Sequence, residues 1–86
     1  MVFIYKFKLL MNKNILITGS SGFLGEELVN YFSKNNKIFA LDKEKPIIFD
    51  GNLSNINNFV SDIRDKEKLE KIFKNNKIDI IIHCAA

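Results

Sequence analysis

Residues 19–25, Gly-Ser-Ser-Gly-Phe-Leu-Gly, connect an apolar run at Asn14–Thr18 to a segment whose apolar side chains recur at helical spacing. When a strand turns through glycines into a helix, the first backbone N–H groups of that helix stand unpaired at the turn. These groups and the positive end of the helix dipole attract phosphate. The stretch therefore predicts a turn that would hold the diphosphate of a dinucleotide.

The three glycines of this turn have different predicted roles. Gly19 lets the chain bend sharply into the helix, and Gly22 has no Cβ atom to keep a diphosphate from the first helix amides. Gly25 allows the helix to lie close against the strands. We expect Phe23 and Leu24 to offer their backbone N–H groups, with their side chains in the core. No Gly-Lys-Ser or Gly-Lys-Thr follows at the required spacing, which excludes a nucleoside-triphosphate P-loop.

Size and composition indicate one small soluble domain. The chain has 86 residues, 47% apolar and 27% charged, and no apolar run approaches the length of about 18 residues that a membrane span requires. The net charge of +3 comes from scattered lysines, so we expect neither a nucleic-acid nor a membrane partner. Cys84 is the only cysteine, which excludes an internal disulfide and fits a cytoplasmic location.

The periodicity of the first half predicts a βαβ unit. A strand at Asn14–Thr18 is followed by a helix from Leu24 to about residues 35–36 and by a second strand at Lys37–Asp42. Such units are right-handed, with parallel strands. Residues 43–57 contain the only proline and indicate a loop, with at most a short strand at residues 47–49.

The second half repeats the alternation of strand and helix. A weak third strand is expected at residues 58–61, and a helix capped by Asp65 should end near residues 75–76. A fourth strand is expected at residues 78–83. The fold class is therefore α/β, a partial Rossmann-type doubly wound parallel sheet of about four strands in the order 3-2-1-4.

Asp42 is the candidate ligand for the adenosine ribose. It ends the second strand, 23 residues past Gly19 and 17 past Gly25, near the spacing of about 20 residues expected for this acid. A carboxylate there accepts hydrogen bonds from both ribose hydroxyls and repels a 2′-phosphate, which favours NAD over NADP. The alternatives are a solvated loop aspartate and a glycine turn that binds nothing, and the neighbouring Lys43 weakens the charge argument.

Four elements in order resemble the amino-terminal part of the extended short-chain dehydrogenase/reductase family, the NAD-dependent epimerases and dehydratases of nucleotide sugars. They are the glycine turn, Asp42, the stretch Asp62-Ile63-Arg64-Asp65 and the stretch His83-Cys84-Ala85-Ala86. The resemblance implies the following cofactor contacts: diphosphate at Phe23 and Leu24, adenine at Asp62 and Ile63, and diphosphate with nicotinamide ribose at Cys84, Ala85 and Ala86.

Each of these residues also has a purely structural interpretation. Asp62 would then belong only to the loop before the helix, and Ile63 only to the core. His83 at the end of a buried strand is better explained as a hydrogen-bonded structural residue than as a catalytic base. Cys84 is better explained as a backbone contact than as a nucleophile.

The resemblance implies catalysis by a Tyr-x-x-x-Lys pair, which this sequence lacks. The two tyrosines, Tyr5 and Tyr31, are followed four residues later by Leu9 and Asn35. We therefore assign no catalytic residue and expect the chain alone to be inactive. Residues 1–10 are interpreted as an N-terminal extension before Met11, with an added edge strand as the alternative. Residues 11–86 are interpreted as the truncated amino-terminal half of an NAD(P)-binding Rossmann domain.

Three functions remain open from the sequence. The first is the NAD-binding portion of an epimerase or dehydratase, with a nucleotide-sugar substrate only in a complete chain. The second is a non-catalytic NAD-binding module completed by a partner chain, which would associate through the exposed edge of residues 78–83. The third is part of an extended-family reductase with a non-sugar substrate. The isolated chain is expected to be poorly stable, since a chain of this size buries only about 60–65% of its unfolded surface.

Overall fold

The computed structural model describes residues 11–44 and 55–84, which form four strands and two helices. The elements are β1 (Asn14–Thr18), α1 (Phe23–Phe32), β2 (Lys37–Asp42), β3 (Ile56–Val60), α2 (Lys66–Asn75) and β4 (Ile80–His83). The predicted N-terminal extension, the predicted short strand at residues 47–49, Ala85 and Ala86 lie outside the described residues.

The strands form one parallel sheet in the order β3-β2-β1-β4. β1 is central and pairs Ile15 with Ile38 of β2 on one side and with Ile80 of β4 on the other. The register brings the carboxyl ends of all four strands to the same edge, since Thr18 pairs with both Leu41 and His83. The predicted fold class and strand order are confirmed.

Alternate side chains of the strands enter two separate cores. On one face, Ile15, Ile17 and Ile38 pack with Val29 and Phe32 of α1. On the other face, the side chains of Leu16, Phe39 and Leu41 pack with Ile72 of α2. The two helices therefore cover opposite faces, as a doubly wound sheet requires.

The helix α1 ends at Phe32, three to four residues before the predicted end. The backbone N–H of Asn35 and the side-chain amide of Asn36 both donate to the Phe32 carbonyl, at 3.2 and 3.1 Å. These two bonds occupy the carbonyl that another helical turn would have used, so the asparagines stop the helix before they could extend it. The helix α2 begins after its predicted cap and ends at the predicted asparagines.

Two strand boundaries differ from the sequence prediction. β3 starts at Ile56, inside the predicted loop, because Ile56 pairs with Ile38 and is buried in the core. β4 starts at Ile80 rather than at residue 78. There the Asp79 carboxylate, instead of a strand carbonyl, accepts the N–H of Asn14 at 2.8 Å, so the regular ladder begins one residue later.

β4 forms one edge of the described sheet. The side chain of Ile81 at this edge is 55% exposed. The predicted association of a partner chain with this edge stays a prediction.

Candidate functional site

The glycine turn brings β1 and α1 into closer contact than any other residue type would allow. Gly19 has a φ of 71°, a backbone conformation that favours glycine. A Cβ atom added at Gly25 would lie 2.0 Å from the carbonyl oxygen of Gly19 and 2.8 Å from its carbonyl carbon. At Gly22 the same oxygen would be 3.3 Å from an added Cβ, a tight contact that a small shift relieves.

The first turn of α1 presents unpaired backbone donors. Gly22 is the N-cap and has no side chain with which to cap the helix. Its carbonyl accepts from the N–H of Glu26 at 2.8 Å, whereas the N–H groups of Phe23, Leu24 and Gly25 have no hydrogen-bond partner among the described residues. Unpaired donors of this kind, together with the positive end of a helix dipole, attract anions.

The side chains of Phe23 and Leu24 do not enter the core, so that prediction is wrong. They are 87% and 47% exposed. The buried positions of α1 are Gly25, Val29 and Phe32, which lie three to four residues apart on one face of the helix. Because Gly25 occupies the inward position of the first turn, the two preceding side chains point away from the sheet.

Asp42 lies against the glycine turn, although it follows Ser21 of that turn by 21 positions in the sequence. One carboxylate oxygen accepts the backbone N–H of Ser21 at 2.9 Å, and the other accepts the N–H of Glu44 at 2.9 Å. The Gly19 N–H also donates to the Leu41 carbonyl at 2.9 Å. The end of β2 thus supports the turn after β1, a contact that the spacing of the sequence did not reveal.

Asp62 follows β3 and forms an ion pair with Arg64. The guanidinium donates from Nε to Oδ1 at 3.1 Å and from Nη2 to Oδ2 at 2.8 Å, and the backbone N–H of Arg64 donates to Oδ1 at 2.9 Å. These bonds lower the pKa of Asp62 from 3.8 to about 2. Ionisation of Asp62 therefore favours the folded state above pH 3.8, and this contribution is lost as the pH falls through about 2.

The end of β4 is held to β1 by His83 and Cys84. Nδ1 of His83 shares a hydrogen bond of 2.6 Å with Oγ1 of the buried Thr18, which confirms the prediction of a hydrogen-bonded histidine. The Cys84 N–H donates to the Thr18 carbonyl at 2.9 Å. Burial raises the pKa of the Cys84 thiol, which disfavours the thiolate that a nucleophile requires.

A cavity of about 570 Å³ joins these groups along the carboxyl edge of the sheet. Six predicted site residues line it: Gly19, Gly22, Asp42, Asp62, Ile63 and Cys84. Phe23, Leu24 and Gly25 follow at the start of α1 without lining it, while Ala85 and Ala86 are outside the described residues. Five further residues line the cavity without having been predicted to belong to a site: Thr18, Leu41, Lys43, Ser61 and Arg64. For Arg64, the acid two positions earlier was the available signal.

The acceptors of this cavity and the donors at the adjoining start of α1 suit a ligand that carries both an anion and hydroxyl or amino groups. The amides of α1 can hold the anion, and the carboxylates of Asp42 and Asp62 can accept from the hydroxyl and amino groups. Within residues 11–44 and 55–84, no group of three or more His, Cys, Asp or Glu side chains is placed to hold a metal ion. In the same residues, neither helix has the length and apolar character needed to cross a bilayer.

Known proteins are similar to this chain in sequence. The model of the NAD dependent epimerase/dehydratase family matches residues 15–86. The dTDP-D-glucose 4,6-dehydratase of Dictyostelium discoideum is 42% identical over 86 aligned positions, covering 86% of this chain and 19% of that protein. The UDP-glucose 4-epimerase of Neisseria meningitidis is 36% identical over 81 positions, covering 85% of this chain and 24% of that protein. The chain thus spans about a fifth to a quarter of the length of these curated relatives.

Two solved structures are similar to the fold. A short chain dehydrogenase from Leptospira borgpetersenii with bound NAD+ has a TM-score of 0.75 and 32% identity, covering 90% of this chain and 32% of that one. The UDP-N-acetylglucosamine 4-epimerase of Methanobrevibacter ruminantium, in complex with UDP-N-acetylmuramic acid, has a TM-score of 0.69 and 27% identity, covering 90% and 25%. Because the family model matches well over half of the sequence, the chain belongs to the NAD dependent epimerase/dehydratase family.

Proposed function

We propose that the cavity binds NAD and that residues 11–86 supply the cofactor site of an enzyme that acts on a nucleotide sugar. The observation that carries this proposal is the order of the polar groups across the sheet. Free amides stand after β1, Asp42 ends β2, and Asp62 follows β3. Neighbouring strands lie about 4.8 Å apart. A diphosphate, a ribose and a base joined in sequence match this order.

The diphosphate belongs at the start of α1. The free N–H groups of Phe23, Leu24 and Gly25 supply the donors, and the helix dipole adds about half a positive charge. Gly22 keeps the approach to these donors open because no side chain stands on its Cα. The exposed rings and methyl groups of Phe23 and Leu24 do not weaken this assignment, since it uses only the backbone of these residues.

The adenosine ribose belongs at Asp42. Each carboxylate oxygen accepts one backbone N–H, so each keeps an acceptor position for a ribose hydroxyl. A 2′-phosphate at the same place would be repelled by the carboxylate. This favours NAD over NADP.

The two ends of the dinucleotide extend to opposite sides of the turn. Asp62 and Ile63, beyond β2, are the proposed contacts of the adenine. Cys84, at the end of β4, and the following Ala85 and Ala86 are the proposed contacts near the nicotinamide ribose. The strand order supports this assignment, because β3 and β4 lie on opposite sides of β1 and β2.

Bound NAD would supply a hydride acceptor. The relatives' names include a dTDP-D-glucose 4,6-dehydratase and a UDP-glucose 4-epimerase, and we propose a nucleotide-sugar substrate for the whole protein on that basis. The residues of this chain bind and orient the cofactor. None of them is assigned a proton transfer, and a cytoplasmic location is proposed from the single cysteine.

Replacement of Asp42 tests the cofactor assignment. In the protein at its natural length, Asp42→Ala should weaken NAD binding at least about tenfold, because two charge-assisted hydrogen bonds to the ribose are lost. NADP binding should weaken less, because the variant also removes a repulsion. The dissociation constants of both dinucleotides are measured by isothermal titration calorimetry. Glu44→Ala, an exposed acid two residues away, is the matched control and should leave both constants unchanged. An unchanged ratio of the two constants in Asp42→Ala would contradict the proposal.

A further inference from the structure

Arg64 holds the Asp62 carboxylate through three bonds from one residue. Two come from the guanidinium and one from the backbone N–H, at 3.1, 2.8 and 2.9 Å. The Arg64 side chain itself is 88% exposed, so it buries little surface of its own. An exposed ion pair of this kind contributes little to stability. What the pair does achieve is to fix the orientation of a carboxylate that lines the cavity.

The three bonds leave the carboxylate with one acceptor position. An ionised carboxylate has about four such positions. Oδ1 of Asp62 receives two donors and Oδ2 receives one, so the remaining position is on Oδ2. The ionised carboxylate accepts hydrogen bonds and donates none.

We propose that Arg64 is a positioning residue that makes Asp62 discriminate between two bases. Adenine, which carries an exocyclic amino group, is preferred over hypoxanthine, which carries a carbonyl oxygen at the same position. The inference rests on the proposed NAD function. An amino group donates to the free position on Oδ2, whereas a carbonyl oxygen meets a fixed negative charge. Without Arg64 the exposed Asp62 side chain would be free to adopt other rotamers and to bond with water, and the distinction would weaken.

The test compares two dinucleotides in the protein at its natural length. Isothermal titration calorimetry gives the dissociation constants of NAD and of nicotinamide hypoxanthine dinucleotide. We expect the wild-type protein to bind NAD at least about tenfold more tightly, the worth of one charge-assisted hydrogen bond. Arg64→Met should reduce this ratio to about threefold or less by weakening NAD, while the constant for the hypoxanthine dinucleotide changes little. Arg64→Lys, which keeps the charge without the planar fork, should give an intermediate ratio.

Two controls separate a positioning role of Arg64 from a general effect of its positive charge on dinucleotide binding. Lys66→Met removes a neighbouring exposed cation and should leave the ratio at its wild-type value. In an Asp62→Ala background, adding Arg64→Met should cause no further change in NAD binding, because Arg64 acts through Asp62.

The results that would contradict the role of Arg64 differ from those that would contradict the proposed NAD function. An unchanged ratio in Arg64→Met, or an equal weakening of both dinucleotides, would overturn the role of Arg64 while leaving the NAD site in place. Absence of NAD binding by the wild-type protein would overturn the proposed function and this inference with it.

Discussion

Gly25 is the residue at which a single methyl group has the largest expected effect. Its added Cβ would lie 2.0 Å from the Gly19 oxygen, a backbone atom that cannot rotate away. We expect Gly25→Ala to lower the free energy of unfolding by about 3 kcal/mol, the upper range for overpacking. Gly22→Ala is the matched control, with a contact of 3.3 Å to the same oxygen and an expected loss below about 1 kcal/mol. Urea unfolding of the protein at its natural length measures both, and equal losses would contradict the account of the turn.

For the residues of the turn, the sequence pattern predicted some features correctly and missed others. The spacing of Asp42 from the glycines predicted its place near the turn, because strand and helix lengths fix where β2 ends. The bond from the Ser21 N–H to the Asp42 carboxylate was not predicted, since it joins the end of β2 to a loop whose conformation the spacing does not specify. The side chains of Phe23 and Leu24 were misplaced because apolar character alone does not show which face of a first helical turn is inward.

Among the elements, the helix α2 depends on its N-cap residue for its start. Asp65 caps this helix by accepting the backbone N–H of Lys68 at 3.2 Å. Its other oxygen is 3.5 Å from the hydroxyl of Ser61. We expect Asp65→Ala to lower the free energy of unfolding by about 1 kcal/mol, because it leaves a helix donor without a side-chain partner. Asp65→Ser keeps an N-cap acceptor and should lose less than half as much, as judged from thermal unfolding. Equal losses for the two variants would exclude a capping role.

The boundaries of elements were less predictable than their existence. β1 and β2 have the predicted limits because apolar residues fill the interior of both strands and polar residues stand at their ends. α1 was predicted too long because the side-chain bond from Asn36 to the Phe32 carbonyl competes with the helix. β3 was predicted too short because Ile56 is drawn into the ladder by pairing with Ile38, a partner that is 18 positions away in the sequence.

Across the sheet as a whole, the order of the strands determines where the polar groups of the candidate site lie. The parallel order β3-β2-β1-β4 sets the two carboxylates and the free amides side by side, although Gly22 and Asp62 are 40 positions apart. This order followed from the alternation of strands and helices and from the glycine turn. The sequence did not predict that Arg64 would bind Asp62, because the local chain path after β3 decides that contact.

We propose that the start of α1 holds the diphosphate of NAD. A crystal structure of the protein at its natural length with NAD would test this binding mode. We predict phosphate oxygens within about 3.2 Å of the backbone nitrogen of Phe23 or Leu24, with the ribose hydroxyls on Asp42. A diphosphate bound elsewhere, or no bound dinucleotide at saturating NAD, would contradict the claim.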